Sequence, residues 1–290
     1  MVALSSTGRV LGALRTAREV AATAYVLRPG RVLDGLLAAA RRGAHVVVRL
    51  EGQPYHDASG SIRAINARDV RALQRAGADA RLNVRAANGI AGLHAKAILA
   101  DGVGYFDDCN WPSVGGDTIV RDTTPSHVGM LRDALRGKAP GPTATFAIRK
   151  RDALALEARS IANASGAIAI ESEAFGASNA VYRAIDSQAR SGQPVRLLVD
   201  VRELRGDVRE RAALRHLARE GVRVRTCNAA EKFALTGSQA WVGSANASAA
   251  FQHPDQIDWG LRTRTGGVID ALQSRFEKRW AAAQPLYASV

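Results

Sequence analysis

Only two cysteines, Cys109 and Cys227, occur among 290 residues. That excludes a disulfide framework, and neither cysteine has a partner at metal-ligand spacing, so the chain reads as one made for a reducing compartment. Nowhere do about eighteen uncharged apolar residues run together, and the N-terminal VALSSTGRVLGALRTAREV lacks the apolar stretch of a signal peptide. The expectation is a cytoplasmic protein with no transmembrane segment. A glycine-rich phosphate loop and a heptad run are also missing. Lysine is scarce, with five residues against thirty-five arginines.

What is present suffices for a full core: 47% of the residues are hydrophobic, enough for one large domain or two fused halves. The formal net charge of +13 points to a polyanionic partner, DNA or RNA ahead of phospholipid. An arginine-rich composition of this kind also arises from a GC-rich genome.

The chain contains itself twice. From Val20 to Leu50 it reads as strand, helix and strand, and from Ala167 the same order returns; Gly43 and Gly192 stand at matching helix ends, 149 residues apart. A further helix and strand follow in each copy, so alternating elements predict an α/β fold with helices on the faces of a sheet. Later, GLHAKAILADGVGYFDDCNW aligns with AAEKFALTGSQAWVGSANAS. Lys96 precedes Asn110 by fourteen residues, Lys232 precedes Asn246 by fourteen, and Asp122 and Asp258 each follow their asparagine by twelve. The offset has dropped to 136, which assigns thirteen extra residues to the first copy, in the loop GQPYHDASGSIRA. Glycine and proline in GKAPGPT, residues 137 to 143, mark the boundary between halves 1–140 and 141–290.

Strand alternation puts His94, Lys96 and Ile98 on one face. An imidazole beside an ammonium suits attack on phosphate: lysine neutralises the nonbridging oxygens while histidine serves as nucleophile or proton carrier. Asn110 and Asn246 can donate amide hydrogens to the same oxygens, and Asp122 or Asp258 can hold the second imidazole nitrogen.

His94, Lys96 and Asp101 match the HxKxxxxD signature of the phospholipase D superfamily, and Gly243-Ser244-Ala245-Asn246 matches its GSxN element, so the chain resembles that family over both halves. The resemblance implies two pseudo-symmetric halves, each with a central mixed sheet flanked by helices, and a monomer that needs no second copy. It also implies a phosphohistidine at His94, no metal or other cofactor, and an active site where the halves meet. Lys96, Asn110, Lys232, Ser244 and Asn246 become phosphate ligands. Asp101, Asp122 and Asp258 join the catalytic set, the last two where the family has a histidine-orienting glutamate. Trp111, next to Asn110, is expected to line the pocket.

The second copy departs from the pattern. Ala230 replaces the histidine and Gly237 the aspartate, while the first copy reads Asp107-Asp108-Cys109-Asn110 in place of GSxN. The proton for the leaving group must come from elsewhere, with His253, Glu173 and His56 as candidates near strand carboxyl ends. His127 and His216 lie in helical segments and read as packing or surface residues. The expected activity is phosphodiester cleavage, on nucleic acid ahead of phospholipid. Phosphatidyl transfer and a weakly catalytic anion-binding protein are the competing readings.

Overall fold

The computed structural model describes residues 1–55, 57–84, 92–111, 118–138, 140–177, 179–204, 207–228, 231–247 and 255–286. It divides into two compact units. The first comprises Met1–Gly141 with Asp255–Trp259, the second Pro142–Pro254 with Gly260–Val290.

In the first unit, β1 (Val2–Ser5), β2 (Glu19–Ala24), β3 (His45–Glu51), β4 (Asp79–Asn83), β5 (Lys96–Ala100), β6 (Val103–Asp107) and β7 (Ile119–Asp122) form one sheet in the order β1-β7-β6-β5-β2-β3-β4. Strands β2, β3 and β4 run parallel, whereas β5, β6, β7 and β1 are joined antiparallel. The sheet is mixed for a covalent reason: the β5–β6 connection is a two-residue hairpin, and parallel strands need a long crossover. Helices α1 (Thr7–Thr16), α2 (Arg31–Arg41) and α3 (Ser61–Arg75) supply Val10, Leu14, Val32, Leu36 and Leu73 to a core shared with Val46, Val48 and Leu50. The alternating HVVVRLE of β3 is the period-2 pattern that such packing requires. Helix α4 (Pro125–Ala134) closes the unit's N-terminal segment.

The second unit repeats this order. Its strands β8 (Phe146–Arg149), β9 (Ile168–Ser172), β10 (Val195–Asp200), β11 (Arg223–Cys227), β12 (Phe233–Thr236), β13 (Ala240–Gly243) and β14 (Ile257–Thr263) are arranged β8-β14-β13-β12-β9-β10-β11, and β15 (Gln284–Pro285) adds an edge. Helices α5 (Lys150–Ala162), α6 (Ala180–Arg190), the short α7 (Val201–Leu204), α8 (Val208–Arg219) and α9 (Gly266–Ala282) accompany it. Gly43 and Gly192, just past α2 and α6, have φ of 89° and 83°, the left-handed conformation that ends helices and that glycine adopts without strain.

Strand pairing corrects the position of the extra residues. The offset between copies is 149 at β3 and β10, 144 at β4 and β11, and 136 at β5 and β12. Five of the thirteen residues therefore belong to the β3–α3–β4 stretch and eight lie between β4 and β5. The single-loop assignment fails because helical and strand periods tolerate a shift of a few residues without any visible break.

Candidate active site

His94 lies two residues before the start of β5, and its backbone is pinned. The amides of His94 and Ala95 both donate to the Ile257 carbonyl at 2.9 and 2.8 Å, and the Ile257 amide donates to the Gly92 carbonyl at 2.8 Å. The segment that supplies Ile257 supplies Asp258 next, whose Oδ1 lies 2.8 Å from His94 Nδ1. Asp258 is buried, and Gln256 Nε2 donates to its second oxygen at 3.0 Å. A carboxylate on Nδ1 makes that nitrogen the proton-bearing one and leaves the Nε2 lone pair for attack. Lys96, 2% exposed, brings its Nζ to 3.0 Å from Nε2 and 3.1 Å from Nδ1.

Tyr25, just beyond β2, packs its ring edge-on against His94 with centroids 5.1 Å apart, lies 6.0 Å from Lys96 Nζ, and donates its hydroxyl to the Tyr55 carbonyl at 2.8 Å. This aromatic wall was not anticipated from sequence, although the carboxyl end of a strand is where an α/β site is expected. Asn110 Oδ1 accepts the Val26 amide at 3.2 Å, which turns its Nδ2 the other way. Buried Asp107 and Asp108 accept the Cys109 and Thr118 amides, so both aspartates of the altered GSxN element serve loop structure. Trp111, expected to line the pocket, is 1% exposed and part of the core, bridged to Leu27.

Asp101 belongs to a turn. It is exposed, adopts φ 45°, and its Oδ1 accepts the Arg18 and Glu19 amides at 3.0 and 2.9 Å, roughly 16 Å along β5 from Lys96. It fastens the β5–β6 hairpin to the start of β2 and does not meet His94.

Asp122 is also reassigned. Pairing of β6 with β7 and of β13 with β14 makes Asp122 the counterpart of Thr263, and Asp258 the counterpart of Asp117, which lies outside the described residues. The local bonds agree: Asp122 accepts the Thr124 amide and Thr263 accepts the Thr265 amide, each just before a helix. Its other oxygen lies 2.6 Å from Nδ1 of buried His127. Burial opposes the charged carboxylate, but the His127 and Thr124 bonds outweigh it and hold Asp122 below the usual carboxylate range. Equal spacing from two asparagines was a coincidence of loop lengths.

In the second unit, Lys232 is 2% exposed and its Nζ lies 2.9 Å from Glu173 Oε2; Asn246 Nδ2 donates to the same oxygen at 3.2 Å. Glu173 is the counterpart of Tyr25. Where the first copy presents imidazole to its lysine, the second presents a carboxylate. Ser244 is fully buried. Beneath them, buried Glu171 and Glu231 share Arg279, at 2.7 and 2.6 Å; burial pushes the Glu171 carboxyl up to about 7, with Arg279 opposing. His253 and His56 lie outside the described residues. Among the described residues, no cluster of three His, Cys, Asp or Glu side chains fit to hold a metal occurs.

A family model described as "Cardiolipin synthase, PLD-like domain" matches residues 158–280. The match covers less than half of the chain and makes the second copy similar to a phospholipase D-like domain. In fold, the chain is similar to phosphatidylserine synthase from Haemophilus influenzae Rd KW20, with a TM-score of 0.71 and 9% identity over 98% of this chain and 87% of that one. It is also similar to polyphosphate kinase from Porphyromonas gingivalis, with a TM-score of 0.65 and 15% identity over 95% of this chain and 50% of that one. The chain thus spans only half the length of the kinase. No curated protein matches it. The matched residues fall in the copy that has lost its histidine, whereas His94 stands in the copy outside the match.

Proposed function

We propose that this protein cleaves phosphodiesters by covalent catalysis at His94. The observation behind the proposal is the trio of His94, Asp258 and Lys96: an imidazole with Nδ1 against a buried carboxylate and a buried ammonium close to both ring nitrogens. Nε2 attacks phosphorus, the bond from phosphorus to the leaving-group oxygen breaks, and that oxygen takes a proton. Water or an alcohol then attacks the phosphohistidine, loses its proton, and returns Nε2 to its free state. Lys96 and Asn110 stabilise the nonbridging oxygens. Lys232, Ser244 and Asn246 of the second unit are proposed as phosphate ligands from their places in the family motif. Glu173, ion-paired with Lys232, suits the step that removes a proton from the attacking water better than the step that delivers one. His253 and His56 are proposed to supply the leaving-group proton.

The net charge supports nucleic acid as the substrate. A second reading, phospholipid hydrolysis or phosphatidyl transfer, is favoured by the family model's own description and by the likeness to a phosphatidylserine synthase. Single-stranded DNA, RNA, bis-p-nitrophenyl phosphate and anionic phospholipid vesicles, offered in parallel, separate the two. The first reading expects cleavage of nucleic acid, and binding that weakens at least tenfold between about 50 and about 200 mM salt as counterions are released. Cleavage or headgroup exchange confined to vesicles establishes the second. Binding of phosphodiesters without any turnover establishes an anion-binding protein that has lost its chemistry.

A further inference from the structure

Glu51 closes β3, is 1% exposed, and lies one strand away from β5. Its Oε2 accepts the Leu93 amide at 2.6 Å and Asn83 Nδ2 at 3.4 Å, while Oε1 accepts the Gln53 amide at 2.7 Å. Among the described residues no cation pairs with it. Burying a carboxylate without a counter-ion is costly, and its neutral neighbour shows that the cost is avoidable. Asn66, fully buried, satisfies the Leu27 amide with its carbonyl and donates its amide hydrogens to the Tyr25 and Glu51 carbonyls. Backbone satisfaction alone therefore requires no charge at residue 51.

The internal repeat provides a comparison. The counterpart of Glu51 is Asp200, which is spent on Arg202, its near neighbour in sequence, through amide and guanidinium bonds. The copy that lost its histidine has the shorter acid turned to a local partner. The copy that kept its histidine has the longer acid, bonded to the residue before that histidine. Gly52 makes the reach possible: its amide donates to the Asn83 carbonyl, and a Cβ there would stand 2.7 Å from that oxygen, so a side chain would push the turn off β4.

We propose that Glu51 is a positioning residue for the nucleophile, an inference that rests on the assignment of His94 above. Three successive amides, of Leu93, His94 and Ala95, are held, the first by Glu51 and the other two by the Ile257 carbonyl. Glu51 pulls the segment from the β3 side, and Ile257 holds it on the side that presents Asp258. A charge-assisted bond is shorter and about twice as strong as a neutral one. It fixes the distance from His94 to Asp258 and with it the imidazole tautomer.

The test uses the full chain with labelled histidine. In wild type, nitrogen NMR shows His94 as the Nδ1-protonated tautomer with a hydrogen-bonded downfield proton. Glu51→Gln, close in shape, has one oxygen for two amides; it is expected to lose that proton signal and lower kcat about 10- to 100-fold, with KM within about threefold. Glu51→Asp keeps the charge but falls short of Leu93 by roughly 1.5 Å, one carbon–carbon bond, and is expected to behave alike; it decides the matter if the glutamine variant does not fold. A folded variant with the wild-type His94 signal and wild-type kcat overturns the proposal. A wild type that shows the His94 signal yet turns over nothing contradicts the enzymatic reading instead, and the NMR comparison still decides the role of Glu51.

Discussion

Asp258 holds its position in the site through three contacts of different kinds: the ring nitrogen of His94, the amide of Gln256, and near-complete burial. Asp258→Asn keeps the shape and removes the charge that fixes the tautomer. Turnover is expected to fall on the order of 10²- to 10⁴-fold with KM changed only a few-fold, as for other orienting carboxylates. Steady-state kinetics on whichever phosphodiester wild type cleaves checks this, and a variant within threefold of wild type would show that His94 needs no orienting partner. The nearness of His94 and Lys96 was legible because two long polar side chains two residues apart fall on one strand face, whereas Asp258 was reached through a spacing that the strand register does not share. Tyr25 and Glu51 were not legible. Each stands at a strand end with no motif around it, and only the pairing of β2 with both β5 and β3 brings them beside residues far along the chain. Asp101 and Asp122 were misread for the reverse reason, since spacing alone cannot tell a turn or helix-start carboxylate from a catalytic one.

Helix α5 contains a cost of folding that no spacing reveals. Glu157 is 2% exposed, its Oε2 has no partner among the described residues, and burial pushes its carboxyl up to about 8. The folded state thus keeps a proton that the unfolded chain, near the ordinary value of 4.5, gives up. Stability is complete below the unfolded value and is lost as pH rises toward about 8, at no more than about 1.4 kcal/mol per pH unit. Glu210, also pushed up to about 8 by burial, acts in the same direction while accepting the Phe175 amide. Glu157→Gln cannot ionise, so its denaturant-unfolding free energy is expected to drop less between pH 6 and pH 8 than that of wild type, by about 1–2 kcal/mol. Equal drops would mean that Glu157 is already ionised or solvated in the folded protein. The alternation of strands and helices was readable from period and glycine placement. A buried acid in KRDALALEARSIA was not, since nothing in a helical period says which polar residue faces inward.

The two units share one strand order, and sequence self-similarity had exposed the repeat because both copies must solve the same packing problem. They differ where chemistry differs: His94, Tyr25 and Glu51 in the first; Ala230, Glu173 and Asp200 in the second. The segment Asp255–Trp259, which lies in the second copy by sequence, groups with the first unit and provides Asp258. No helix among the described residues is long and apolar enough to cross a membrane. What decides whether this assembly is an enzyme is the covalent step. Wild type mixed with bis-p-nitrophenyl phosphate and quenched in base, which preserves phosphorus bound to nitrogen, is expected to yield one phosphorylated peptide, that containing His94, with a matching burst of p-nitrophenol; His94→Ala is expected to give neither. Turnover by His94→Ala at the wild-type rate, or a phosphoryl group found on any other residue, would contradict the account.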